Sequence, residues 1–141
     1  MKIIILLLSL SYTLIGSCCT CVNQGEINDE QYNSYDLIVK GQIEKIEEDG
    51  WSKTIHIRIE TLYKGQHDNK LLKIQTPSQS GMCGIFPKVG ENWLMFTYKN
   101  EKGFTTSLCT RTKNMNRNGW DYNRKELKSD VKFLERRLNR K

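Results

Sequence analysis

The sequence predicts a mainly β domain: a small closed or partly closed barrel of five strands, with a short helix before it and a longer helix after it. Three observations carry that expectation. Between residues 37 and 108, apolar residues recur with a period of two in short runs, the pattern of strands that bury one face. Turn formers such as Asp49-Gly50, Lys64-Gly65 and Val89-Gly90 interrupt those runs, at the close spacing typical of small all-β domains. Beyond residue 125 the apolar period becomes that of a helix.

The chain opens with Lys2, an apolar run from Ile3 to Ile15, and the small residues Gly16 and Ser17, the grammar of an export signal over 1–17. The run is too short and too soon interrupted for a membrane span. Two cleavages fit it. Ile15-Gly16-Ser17-Cys18 has the form of a bacterial lipobox, whose processing leaves a lipidated Cys18 at the mature N-terminus. Ordinary signal peptidase would instead accept Gly16 and Cys18 as its small residues, remove 1–18 and release Cys19 with a free amine. An odd count of five cysteines suits the first route, because one thiol is then taken by lipid.

After the signal, Glu26 to Ser34 is polar around Ile27 and Tyr32, and acidic Glu26, Asp29 and Glu30 suit the start of a short helix. Leu37, Val39, Gly41 and Ile43 alternate with Ile38, Lys40, Gln42 and Glu44, a strand with a bend expected at Gly41. Ile55, Ile57 and Ile59 against His56, Arg58 and Glu60 form the clearest strand, ending near Tyr63 and making a long hairpin with the first. Leu71 to Thr76 is a third strand, and Pro77 to Gly84 a loop carrying Cys83. Trp93 to Tyr98 and Phe104 to Leu108 are the last two strands, joined by the turn Asn100 to Gly103. Residues 111 to 123 read as irregular, with Trp120 and Tyr122 as anchors. In the helix at 125–138, Leu127, Val131, Leu134 and Leu138 make one stripe that packs on the barrel.

The chain of 141 residues carries a net charge of +6, but the excess is local. Residues 18–110 hold 10 basic against 12 acidic side chains, and residues 111–141 hold 11 against 4. A phosphate-binding domain would spread basic residues over its folded face, so no nucleic-acid partner is expected. No Ser-His-Asp set, carboxylate pair or phosphate loop has suitable spacing, and the chain is read as a non-enzyme without catalytic residues. His56 reads as a solvated cross-strand partner, His67 as a turn residue, and Glu47, Glu48 and Asp49 as a solvated hairpin tip.

Cys18 aside, Cys19, Cys21, Cys83 and Cys109 allow three pairings. Cys19 with Cys21 is sterically poor. The two others both send the N-terminal cysteines to different points of the barrel, and the long loops they close are worth on the order of 4 kcal/mol per bridge. Cys-x-Cys also ligates zinc, but exported thiols oxidise and neither His56 nor His67 has ligand spacing to them. No metal of its own and no cofactor is therefore expected.

Cys19-Thr20-Cys21-Val22, Tyr35-Asp36-Leu37-Ile38-Val39-Lys40-Gly41, Leu62-Tyr63-Lys64-Gly65, Met82-Cys83-Gly84 and a final Cys109 occur in that order. This set, across residues 19–112, resembles the tissue inhibitors of metalloproteinases, within the netrin-like modules that share an OB-type Greek-key barrel. The resemblance implies bridges from Cys19 to Cys83 and from Cys21 to Cys109. It implies that the α-amine and carbonyl of Cys19 chelate the catalytic zinc of a target protease and that Thr20 enters its specificity pocket. Cys21, Val22, Gly81, Met82 and Cys83 would make the flanking contacts. Where the family commonly has a proline two positions after the second cysteine, this chain has Asn23. Residues 113–141 form a basic extension where the animal inhibitors continue into a second disulfide-rich domain, which suggests a single-domain bacterial relative. OB-type barrels also stack oligonucleotides or oligosaccharides on exposed aromatics, for which Trp51, Trp93, Phe96, Tyr98 and Phe104 are candidates, though alternation on a barrel strand buries half of such residues. The expected function is an exported, secreted inhibitor of a zinc metalloprotease. The alternative is an envelope module anchored through lipid on Cys18 that binds another extracytoplasmic protein.

Overall fold

Two long strands organise the molecule, β1 (Leu37–Asp49) and β2 (Ser52–Lys64), paired antiparallel across the turn at Gly50 and Trp51. The structure is a computed structural model that describes residues 19–116 and 124–140. The expected signal at 1–17, the lipidation site Cys18 and the anchors Trp120 and Tyr122 lie outside the described residues. Ahead of β1 sits helix α1 (Asp29–Ser34), started by Asn28, whose Oδ1 accepts the Gln31 N–H at 2.8 Å. β3 (Leu71–Pro77) pairs antiparallel with β2 and parallel with the short β5 (Gly103–Thr105). β4 (Asn92–Asn100) pairs antiparallel with both β5 and β1, so the ladders run in a ring from β1 through β2, β3, β5 and β4 back to β1.

The bend expected at Gly41 is where the β1–β2 register shifts. A Cβ there would lie 2.1 Å from the Arg58 carbonyl oxygen, so only glycine lets the two backbones meet this closely.

Two apolar clusters fill the fold. Leu37, Val39, Ile43, Ile55, Ile57, Ile74, Trp93 and Met95 face the inside of the ring. Ile38, Tyr63, Leu94 and Phe96 face the other way and are covered by Ile27, Tyr32 and Tyr35 together with helix α2 (Arg124–Leu138). Simple alternation therefore fails at residues 37–39 and 93–97, where consecutive residues are all buried. Leu127 and Leu134 of α2 are buried as expected. Leu138 is 37% exposed and does not complete the stripe. Phe133 instead packs its ring 6.0 Å from that of Tyr32.

Other expectations are corrected. The fifth strand ends at Thr105 rather than Leu108, because Ser107 opens a tight turn: its carbonyl accepts both the N–H and the hydroxyl of Thr110. The stretch read as irregular supplies a sixth strand, β6 (Lys113–Asn114), paired with Trp93 and Leu94. Just before it, the Thr112 hydroxyl accepts the Phe96 N–H at 2.9 Å. His56 is buried, not solvated, and shares a 2.6 Å hydrogen bond with Glu47 Oε2. The hairpin tip, Glu47 to Asp49, is exposed as read, with Glu48 3.2 Å from a buried Lys53 ammonium that also lies over the Phe86 ring. His67 does sit in a turn, against the Leu71 carbonyl.

Candidate functional site: the bridged N-terminal segment

Three loops converge where the N-terminal segment crosses the end of the sheet. The first follows β3: Ser80–Met82 makes a single 3₁₀ turn that Cys83 closes in a left-handed conformation, φ +61°. Gly84 then lies against the start of this loop, where a Cβ would sit 2.0 Å from the Pro77 carbonyl oxygen. Glycine at 84 is thus demanded by the backbone path, whereas Cys83 holds a left-handed conformation that non-glycine residues seldom adopt. The second loop, Ser107–Thr110, is tied to the first by the Leu108 N–H donating to the Cys83 carbonyl at 2.7 Å. The third is residues 19–27 themselves.

Cys19 stands at disulfide distance from Cys83 and Cys21 from Cys109, with Cα separations of 5.3 and 5.0 Å. Of the pairings left open by the residues alone, this is the one the resemblance implied. The cysteines are half-buried. Thr20 and Gly81 are exposed, Val22 is 87% exposed and Met82 47% exposed. The residues expected to contact a partner are therefore gathered at one end of the molecule. Trp51, 67% exposed, joins them from the β1–β2 hairpin, because its carbonyl accepts the Ser78 N–H at 3.0 Å. Of the other aromatics considered for stacking, Trp93 and Phe96 are buried in opposite clusters and Phe104 is half-buried. They do not form one platform with Trp51 and Tyr98.

A polar network behind the segment was not foreseen from the sequence. Gln24 Nε2 donates to the Cys109 carbonyl at 2.7 Å, and Gln31 Nε2 to the Gln24 carbonyl at 2.6 Å. Arg111, buried, donates to the Gly25 carbonyl at 3.0 Å and to Asp130 Oδ1 of α2 at 2.6 Å. Its own backbone N–H donates to the Tyr35 hydroxyl. Burial first, and then the neighbouring Tyr98, push the Tyr35 phenol up to about 12, so it stays a neutral hydrogen-bonding group. Lys113 lies 3.4 Å from both Asp130 and Glu126. One signal in the sequence pointed to this network: Asp130 falls between Leu127 and Leu134 on the apolar side of α2, where a carboxylate needs a buried partner. A groove of about 360 Å³ runs along the segment, lined by Cys21 to Gly25, Leu108 to Lys113 and Glu126.

Chemically, this end of the molecule offers an exposed segment pinned by two sulfur pairs to two different loops. No protein-family model matches the chain, and no curated protein matches it. Among the described residues, no helix is long and apolar enough to cross a membrane.

Proposed function

We propose that the chain is an exported inhibitor of a zinc metalloprotease, built on an OB-type barrel of the netrin-like kind and acting through its Cys19-Thr20-Cys21 wedge. The observation that carries this reading is the double pinning of the N-terminal segment. Cys19 and Cys21 are tied to different loops while Thr20 and Val22 face solvent beside Gly81 and Met82. A catalytic zinc keeps an open coordination position, and the free α-amine and carbonyl of Cys19 are a pair of donors suited to fill it. Holding the wedge in place beforehand limits the entropy lost on binding. Paired cysteines also fit an oxidising, extracytoplasmic setting.

The test compares a chain starting at Cys19 with one carrying an extra alanine ahead of Cys19, assayed against a panel of secreted zinc endopeptidases. The first inhibits and the second does not, because acylating the amine removes its lone pair. Inhibition by neither chain rejects the reading, and equal inhibition by both rejects zinc chelation as its mechanism.

The lipobox-like Ile15-Gly16-Ser17-Cys18 favours a second reading, a lipid-anchored envelope module that binds another extracytoplasmic protein. Intact mass and N-terminal sequencing of the mature protein separate the two. An acylated Cys18 leaves Cys19 without a free amine and selects the anchored module, and an unmodified Cys19 terminus selects the inhibitor.

A further inference from the structure

The four cysteine sulfurs form a single cluster, all within 4.8 Å of one another. Across the two bridges, the sulfur of Cys19 is 4.0 Å from that of Cys21 and 3.8 Å from that of Cys109, and Cys109 is 3.6 Å from Cys83. A tetrahedral zinc with Zn–S bonds of about 2.3 Å sets its sulfurs about 3.8 Å apart. Three of the four contacts between bridges thus already have about the edge length of a zinc tetrathiolate. The fourth pair, Cys21 and Cys83, lies within 4.8 Å, and the two bonded pairs must part to the same separation.

We propose that, once reduced, Cys19, Cys21, Cys83 and Cys109 form a four-thiolate site for zinc. This goes beyond protease inhibition and does not depend on it.

Three features support the site. The segments that carry the sulfurs are also held by bonds that reduction does not touch. The Leu108 N–H reaches the Cys83 carbonyl, the Cys83 N–H reaches the Ser80 carbonyl, and Gln24 reaches the Cys109 carbonyl. The loops of Cys83 and Cys109 therefore stay together when the bridges open, and Gln24 keeps the segment that carries Cys19 and Cys21 within reach of them. The donors are all sulfur, a set that suits zinc and excludes magnesium and calcium. And the cluster is half-buried, with Cys21 and Cys109 lining the groove along the segment, which leaves a path of entry for an ion.

The chemistry balances with a dithiol as reductant. Each bridge accepts two electrons and two protons from one dithiol, giving two cysteine thiols and a cyclic disulfide of the reductant. Zinc then binds the four thiols as thiolates and releases four protons. Exchange with a cyclic disulfide, which takes two electrons from each cysteine pair and leaves as the dithiol, re-forms the bridges and expels the metal.

The test uses the whole mature chain from Cys19, reduced with a phosphine, desalted under argon and titrated with cobalt(II), the coloured substitute for zinc. The expected result is saturation at about one metal per chain, with the intense visible bands of a tetrahedral centre and sulfur charge transfer in the near ultraviolet. Zinc displaces the cobalt, and the unreduced chain gives no bands. Cys83→Ser and Cys109→Ser each weaken zinc binding by more than the ~10–100-fold that loss of an outer partner costs a metal site. Amide NMR spectra of the reduced chain, with and without zinc, make every outcome decisive. A reduced chain that stays folded without tetrahedral bands overturns the site. A reduced chain that unfolds supports it if zinc restores the dispersed spectrum, and overturns it if zinc does not.

Discussion

A methyl group on Gly84 would sit 2.0 Å from the Pro77 carbonyl oxygen and 3.1 Å from that of Gln79. Both are backbone atoms, so no rotamer change relieves the contact. Gly84→Ala should therefore cost about 3 kcal/mol, the upper part of the range for overpacking, read as a lower midpoint in guanidinium unfolding. An unchanged midpoint would mean that the loop carrying Cys83 relaxes freely and does not present a rigid ridge. The Arg111–Asp130 pair is just as local but fails differently. Both side chains are almost wholly buried, so Asp130→Ala strands a buried guanidinium and should cost roughly 3–5 kcal/mol, whereas Arg111→Met with Asp130→Leu recovers most of that loss. Denaturation of the single and double variants checks the order. At the hairpin, hydrogen bonds from Lys45 first and His56 second hold the Glu47 carboxyl down at about 2, against an ordinary 4.5. A depressed carboxyl stabilises the fold above its unfolded value and loses that contribution as pH falls through its folded value. The gap in urea midpoint between the protein and Glu47→Gln should thus be full above about 4.5 and close as pH approaches about 2. Glu47 is exposed, so added salt should narrow the gap. A gap that stays constant over that window would show that the Lys45 and His56 contacts do not set its charge.

At the scale of elements, α2 is fastened by a few residues rather than by its whole stripe. Leu134 is 1% exposed and Leu138 37%, although both fall at the same helical spacing. Leu134→Ala should cost about 3 kcal/mol and Leu138→Ala less than about 1, compared by thermal and denaturant unfolding. Equal costs would mean that the last turn of α2 packs more closely than its exposure indicates. The same contrast shows what was legible beforehand. Period-two runs located β1 to β3, where apolar residues return to the inner cluster at every second position, and the Leu127–Leu134 spacing located α2, whereas β4 read as an apolar run because both of its faces are buried. The ends were less legible. Ser107 stops β5 through hydrogen bonds of its own, and Thr112 prepares β6 by presenting a hydroxyl to the Phe96 N–H. Such side-chain substitutes for ladder bonds leave no periodic trace. His56 was misjudged for a related reason: alternation assumes one wet face, and here His56, on the side of β2 opposite Ile55 and Ile57, is buried and bonded to Glu47.

For the whole molecule, alternation names strands but not neighbours. The closing of the ring through β1–β4, and the parallel pairing of β3 with β5, join segments far apart in sequence, and a period of two carries no information about their order. The convergence of four sulfurs belongs to the same level. It arises from that closure, because the loops after β3 and β5 are brought to one end, where residues 19–22 cross them. Closure by two bridges spanning 64 and 88 residues is worth about 4–5 kcal/mol for each by loop entropy. The difference between them is small, since the dependence on length is logarithmic. The Cys21→Ser, Cys109→Ser protein should therefore remain folded but lose about 4 kcal/mol in guanidinium unfolding. Its loss should be local as well as global. Residues 24 and 25 are held by Cys109 and Arg111 through carbonyl and side-chain bonds that need no bridge, whereas Cys21 and Val22 are fixed mainly by the sulfur link. NMR order parameters should then fall at residues 21 and 22 while Gln31, bonded to Asn28, and Arg111, whose N–H meets the Tyr35 hydroxyl, keep their hydrogen-exchange protection. If protection at Gln31 and Arg111 fell together with the order at Val22, the bridge would be what holds the polar network in place. The rigidity of the exposed end would then depend on the sulfurs alone.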